Sequence, residues 1–539
     1  MSEAQPNEID QLQINLVNFN EKTNINITDI VGTFNIYESI LQAHCTCDLI
    51  LIDATQLINR IPIIGEEYVV FRYKTRGLKE SGDEYTLRTR SFRIFKISDR
   101  VEKTEDTTNY KLHGIDDHYF VNEGHDINAS FVGSNCISAC EGIFKSYFVD
   151  PVEFRPFDKQ SRNLVDTDNT FPNKGYKTPI DKQSTNSSNY ISPGNTPIEV
   201  IEYLKDEAIH KKSNDTSNYL FFQNLSGYHL TTLSELKDKG TVFTYFVKYP
   251  QTPEGAGAIE QDAKDTTTTT IRNTILDYKI RKTTDAIRNI SSGMYGNRVV
   301  AIDTLTKKFD EKIFNYDSEW HTLSPIEKQE NSGSKLTSSI DEEKKGGFYG
   351  RIGSTQTRYI ATELTSNSIH KGNATNFSDN EYPSYKQTPY FYPIDKEDPD
   401  EKRDKVNGTI KNEDADIRLE TLVSNDSRLS NPRSKHLKLN REVASLATID
   451  NIVIDLVVNG NSDIKAGDTI NAYIPSKIKG EGRYVSAFGE KDPKFLVTGV
   501  RQAYMMDVLS YITTVTIIKD SLKLSVEKIF EKEKDTPDG

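Results

Sequence analysis

Four cysteines fall in two pairs: Cys45 and Cys47 as C-x-C with His44 beside them, and Cys136 and Cys140 as C-x3-C. Thiolates from a strand pair and a helix turn at these spacings are a donor set for tetrahedral zinc. Packing produces the same spacings, because alternate strand residues share a face, as do residues four apart on a helix. The four are therefore expected to be buried, reduced thiols without a metal, and a disulfide is not expected in a chain matured in a reducing cytoplasm. His113, His118 and His125, with Asp116 and Asp117 between them, resemble the H-x-D clusters of metal hydrolases. They fall where an alternating strand ends, and a solvated turn is the expectation. No G-x-S-x-G, H-E-x-x-H or G-x-x-x-x-G-K-[ST] occurs, and GGFYGRIGS at 346–354 lacks the Lys of a phosphate loop. Acid pairs are so common here that choosing two as a glycosidase dyad would be arbitrary. No catalytic, cofactor-binding or metal-ligating residue is assigned, and no cofactor is expected.

The charge balance agrees with that silence. Over 539 residues, 67 Lys+Arg against 80 Asp+Glu give a formal net charge of −13, which argues against general phosphate binding. One basic run stands apart: Arg428, Arg433, Lys435, Lys438 and Arg441, with no acid between them. Leu437 and Leu439 flank Lys438 as in a half-buried edge strand, so docking on an acidic neighbour is expected there rather than DNA binding. No stretch approaches the roughly 20 apolar residues of a membrane span, and MSEAQPNEID is not a signal peptide. A soluble chain made in the cytoplasm is expected. The 24 Phe and 27 Tyr against 4 Met and one Trp point to strands.

These residues must be positioned by elements of two kinds. Over 1–120 the chain alternates apolar and polar residues in VGTFNIYESI, CDLILIDA, EEYVVFRYK, SFRIFKISDR and NYKLHGIDD, predicting antiparallel strands that suit a small barrel or sandwich, and the segment is assigned as a first barrel. Residues 121–265 read as an α+β module. ISACEGIFKSYF predicts a helix with Ile137, Cys140, Ile143 and Phe144 on one face. Thr196, Pro197 and Glu199 predict the capped start of another. NYLFFQNLSGYHLTTL predicts a hairpin turning at Ser226-Gly227. Residues 266–322 and 436–525 return to strands and are assigned to a second, discontinuous barrel. A polar insertion at 323–435 separates its halves, and 526–539 is a charged tail. The predicted fold is thus β-dominated α+β, with two barrels, a module and an insertion.

The two β regions also match each other. IPIIGEEYVVFRYKT lies over DIKAGDTINAYIPSK, and the strands that follow open at Phe92 and Phe495. Two copies of one barrel, separate rather than merged into a single sheet, are expected. FNIYESI, DLILIDA and PIIGEEYVVF at the front resemble the baseplate hub of T4-type contractile-tailed phages. YLFFQNLSGYHLTTLSEL in the middle, and AGDTINAYIP, FLVTGVRQAY and YITTVTIIKDSL at the end, do so too. The long polar segments at 157–195 and 323–435 depart from it.

The resemblance implies a non-enzymatic structural protein of the virion tail. It implies a homotrimer whose six tube-type barrels join a hexameric tail tube to a trimeric central spike around a channel for DNA. Tail tube proteins, the spike and surrounding baseplate proteins are the implied partners, with no stable nucleic-acid binding and no membrane segment. Two other function classes stay open on the residues: a tail-tip cell-wall hydrolase, and a carbohydrate-binding module using Tyr382, Tyr385, Tyr390 and Tyr392.

Overall fold

The computed structural model describes residues 9, 11–18, 23–61, 63–74, 88–104, 107–149, 187–210, 217–247, 273–283, 285–303, 308–316, 323, 326, 356–361, 435–449, 451–474, 493–506 and 510–520. The insertion tyrosines, the 346–354 glycines, Arg428, Arg433 and the 526–539 tail lie outside them.

Seven strands form the first barrel: β1 (Gln11–Asn18), β2 (Thr23–Asn26), β3 (Val31–Ser39), β4 (Thr46–Asp53), β5 (Glu67–Lys74), β6 (Arg88–Glu102) and β7 (Thr108–Ile115). They run in the order β3-β4-β7-β6-β5-β1-β2, each antiparallel to the next. Alternation decides which residues face inward: β7 reads buried at Thr108, Tyr110, Leu112 and Gly114 and half-exposed between them. Phe34, Phe71 and Phe92 meet inside, at 5.1 and 5.9 Å between successive rings. Each such burial contributes about 2–3 kcal/mol. Gly114 is required by closeness, since a Cβ there would stand 2.6 Å from Cys47 Sγ.

The intervening module contains β8 (Ser130–Asn135) and β9 (Ser187–Ile191), paired antiparallel, and a hairpin of β10 (Tyr219–Asn224) and β11 (Gly227–Thr232). The helix Cys136–Phe144 buries Ile137, Cys140, Ile143 and Phe144, the face its periodicity predicts. The helix Pro197–Glu207 opens as expected, with Glu199 accepting the Thr196 N–H at 3.1 Å.

The second barrel is a closed ring of six strands. It uses β12 (Thr241–Val247) and β13 (Thr274–Lys282), then, past three strands of another sheet, β17 (Ile452–Asn459), β18 (Thr469–Tyr473), β19 (Lys494–Met505) and β20 (Ser510–Lys519). Its order is β12-β13-β17-β20-β19-β18 and back to β12. β12 is parallel to both neighbours, so the ring is not wholly antiparallel. Ile454, Leu456, Ile470, Phe495, Val515 and Ile517 fill it.

Three assignments change. β12, read as part of the 121–265 module, is a strand of this ring, because its partners lie far along the chain where local pattern carries no information. β14 (Gly296–Asp303) and β15 (Lys308–Asn315), read as second-barrel strands, form a separate sheet with β16 (Gln356–Ala361), which comes from inside the polar insertion. Lys435–Ile449 is a helix, not an edge strand: Asn440, Val443, Ala444 and Thr448 are buried at helical spacing, and Ala444 joins the Tyr295–Phe314 core.

Candidate functional site

The two barrels are joined where β19 meets β3. Residues Gly499–Met505 pair antiparallel with Ser39–Thr33, so the expected pair of separate sheets is one continuous 13-stranded sheet wrapped round two cores. The seam exists because β19 is long enough to change partner, pairing first with β18 through Lys494–Leu496 and then with β3. Tyr504 and Tyr511, at the far ends of β19 and β20, belong to the first barrel's core, with Tyr504 stacked on Phe34 at 5.5 Å.

Polar contacts lock the seam from inside. Glu38, opposite Val500, accepts from Arg90 Nη1 at 2.6 Å and from the Ala466 N–H at 3.3 Å, with both charged side chains buried. Burial alone would lower the Arg90 pKa, but the Glu38 carboxylate outweighs it and holds the guanidinium charged. Tyr73 donates to Gln502 at 2.7 Å, and Arg88 pairs with Asp463.

The β10–β11 hairpin is wedged against both barrels, and every residue of its two strands is buried. On the second-barrel side Asn224 Nδ2 donates to the Ala466 carbonyl at 2.9 Å, and Phe222 lies against Gly467. On the first-barrel side Gln223 accepts the Cys45 N–H at 2.8 Å and donates to Asp116 at 2.7 Å. Asp116 also accepts from His118 Nδ1 at 2.6 Å and from Tyr228 at 3.2 Å, while Tyr228 bonds His44 at 2.8 Å. Burial raises the Asp116 pKa, yet His118, then His44 and Gln223, hold it well below the carboxylate range. Burial likewise pushes His44 down to about 4, aided by His118 and opposed by Asp116.

The sequence-flagged residues therefore scatter. Cys45 and Cys47 lie in the first barrel's core, whereas Cys136 and Cys140 lie in the module's, and burial raises the thiols of Cys45, Cys47 and Cys140. The two pairs do not meet at a shared site. His113 bonds Asp48 and Ser98 on the barrel wall, and His125 bonds the Val121 carbonyl. His118 and Asp116 are buried at the hairpin instead of sitting in a solvated turn, because Gln223 and Tyr228 come to them from far along the chain. With four hydrogen bonds on its carboxylate, Asp116 holds elements together. Among the described residues no three His, Cys, Asp or Glu side chains are grouped as a metal site, and no helix is long and apolar enough to cross a membrane.

Sequence reading missed Glu38, Arg90 and the hairpin's place at the seam. A signal was present: YLFFQN and GYHLTT lack the charged, water-facing positions of a one-sided strand pair.

Duplication is visible in order and direction for five of the six strands, while β12 matches β1 in order only, since β1 is antiparallel to β5 and β12 is parallel to β18. The order β1-β5-β6-β7-β4-β3 repeats as β12-β18-β19-β20-β17-β13. Gly65 and Gly467, in corresponding turns, have φ of +98° and +88°. A bulge between Ile94 and Lys96 on β6 recurs between Val497 and Gly499 on β19, and one between Val31 and Thr33 on β3 recurs between Ile275 and Asp277 on β13. Asp48-Leu49 faces His113-Leu112 as Asp455-Leu456 faces Thr516-Val515.

No protein-family model matches the chain, and no curated protein matches it. Among solved structures it is similar to a tail protein from Neisseria meningitidis, with 8% identity, TM-score 0.43, and 94% of this chain and 97% of that one covered. The 43 kDa tail protein of prophage MuSo2 from Shewanella oneidensis gives 8% identity and TM-score 0.43, covering 95% and 99%. Prophage tail protein gp18 from Listeria monocytogenes gives 9% and 0.39, covering 97% and 98%.

Proposed function

We propose that this chain is the structural hub of a contractile tail baseplate. Three copies form a ring of six barrels that joins a hexameric tail tube to a trimeric central spike and leaves a channel for DNA. The observation that carries this reading is the seam: two barrels of one strand order stand side by side within a chain, joined edge to edge. Three such chains supply six similar units, so a six-fold partner and a three-fold partner meet without a symmetry mismatch. The role is non-enzymatic: Asp116 and His118, which most resemble catalytic groups, are consumed in holding the hairpin to the first barrel. Tail tube proteins, the spike and surrounding baseplate proteins are its partners, and the virion tail, assembled in the host cytoplasm, is its place. Three chains carry triple the formal charge of −13, which keeps the channel from adhering to phosphate.

Mass measurement of the full chain in solution, with imaging of the particle, tests this. A trimeric ring with six lobes is expected. A monomer at every concentration, or salt-sensitive DNA binding by the ring, would remove the reading.

A further inference from the structure

We infer that the exposed halves of β6 and β13 are docking edges for a second copy of this chain, with β6 of one copy pairing antiparallel to β13 of the next. The inference rests on the hub reading and specifies how its ring closes. β6 is the first barrel's counterpart of β19, and β13 is the second barrel's counterpart of β3. The seam inside the chain is β19 on β3, so the remaining pair, β6 and β13, is the same junction left unmade.

The edges bear this out. After Arg93, the last residue paired with β5, β6 continues to Glu102 with β7 on one side and, among the described residues, no strand on the other. β13 meets β12 only at Thr274 and Ile275, and from Leu276 to Arg281 it too is bordered on one side alone among the described residues. Both stretches carry apolar side chains in water: Phe95 and Val101 are 51% and 55% exposed, Leu276 and Ile280 48% and 40%. At the made seam the corresponding Ala503 and Ile36 are 5% and 1% exposed. An uncovered edge of this kind is a template for strand addition, which most proteins blunt. Here each edge has its complement on the same chain.

The register follows from the seam. Val101 faces Asn109 on β7 as Ala503 faces Ile512 on β20, and Lys279 faces Asp455 on β17 as Asn35 faces Asp48 on β4. Since Ala503 pairs with Asn35, Val101 of one copy is placed opposite Lys279 of the next, and Glu102 opposite Tyr278. Such a head-to-tail contact must close on itself or grow into a filament.

The test is the full chain carrying Val101→Cys and Lys279→Cys, oxidised and run without reductant, beside a register-shifted control with Val101→Cys and Ile280→Cys. The four native thiols are buried and do not interfere. Covalent species ending at a trimer, at least ten-fold more abundant than in the control, are expected. Cross-linking that continues past the trimer would overturn closure. A trimer by mass that does not cross-link, or cross-links equally in the control, would overturn the edge pairing and leave the hub reading intact. A monomer by mass would overturn both. As a cysteine-free measurement, Val101→Asp should weaken trimerisation at least ten-fold while leaving the monomer's Tm unchanged; an unchanged trimer would also overturn the pairing.

Discussion

Ile36 on β3 and Ile280 on β13 hold the same place in their barrels, yet one is 1% exposed and the other 40%. Each faces the next strand across the barrel wall, Cys47 for Ile36 and Ile454 for Ile280. What differs is the other side: β19 continues the sheet beyond β3, and nothing described continues it beyond the middle of β13. Burial in a repeated architecture is thus a property of the neighbour, not of the position. The two barrels also close differently. The second is hydrogen-bonded all round through β12, whereas in the first the outer side of β1 takes β2. The first barrel's core is completed at the seam by Tyr504 and Tyr511, so it depends on the second.

The largest test of that dependence is the Glu38–Arg90 pair. Arg90→Ala leaves a carboxylate buried without its partner and should cost about 3–5 kcal/mol in chemical denaturation. Replacing both by Glu38→Gln and Arg90→Met should recover much of that loss. Recovery of none would show that the pair is not coupled.

Ile36→Ala should cost about 2–4 kcal/mol, and Ile280→Ala less than about 1 kcal/mol in the monomer, because only the first opens a closed core. Equal losses would dissolve the comparison between sealed and open edges.

Acid should loosen the hairpin from both barrels. His44 bonds the hairpin's Tyr228 and His229 lies within the hairpin, both pushed down to about 4, chiefly by burial, with Lys239 and Lys465 adding to the effect at His229. A histidine lowered on folding stabilises the native state fully above its unfolded pKa of about 6.5, and that stability is lost as pH falls through 4. About 2–3 kcal/mol per histidine is at stake. Melting curves between pH 7 and pH 4 should show the fall, and His44→Gln should flatten it by roughly half.

The smallest contrast is between the two turn glycines. Gly65→Ala should cost about 1 kcal/mol for the positive φ alone. Gly467→Ala should cost more, since its added Cβ would also stand 3.0 Å from Phe222. Equal values, read from urea midpoints, would remove the hairpin's wedge from the second barrel's turn.

What the sequence determined by itself was local and repetitive. Alternation set the inward residues of β3, β4 and β7, and Thr196 with Glu199 set the start of a helix. Gly65 with Gly467, and Phe92 with Phe495, marked the duplication, because turn chemistry and strand parity are decided within a few residues. The short alternation Leu437-Lys438-Leu439 misled for the same reason: three residues do not distinguish a period of 2 from one of 3.6, and the full segment is a helix. Tertiary structure decided which strand lies beside which. β12 joins a ring with β18, β16 leaves the insertion to pair with β14, and β19 turns from β18 to β3. None of these choices changes a strand's own pattern of inward and outward residues, so none leaves a mark in it. The site followed the same rule: Asp116 and His118 stand beside each other in the chain, but Gln223 and Tyr228, which make them a lock rather than a turn, arrive only when the hairpin is folded between the barrels.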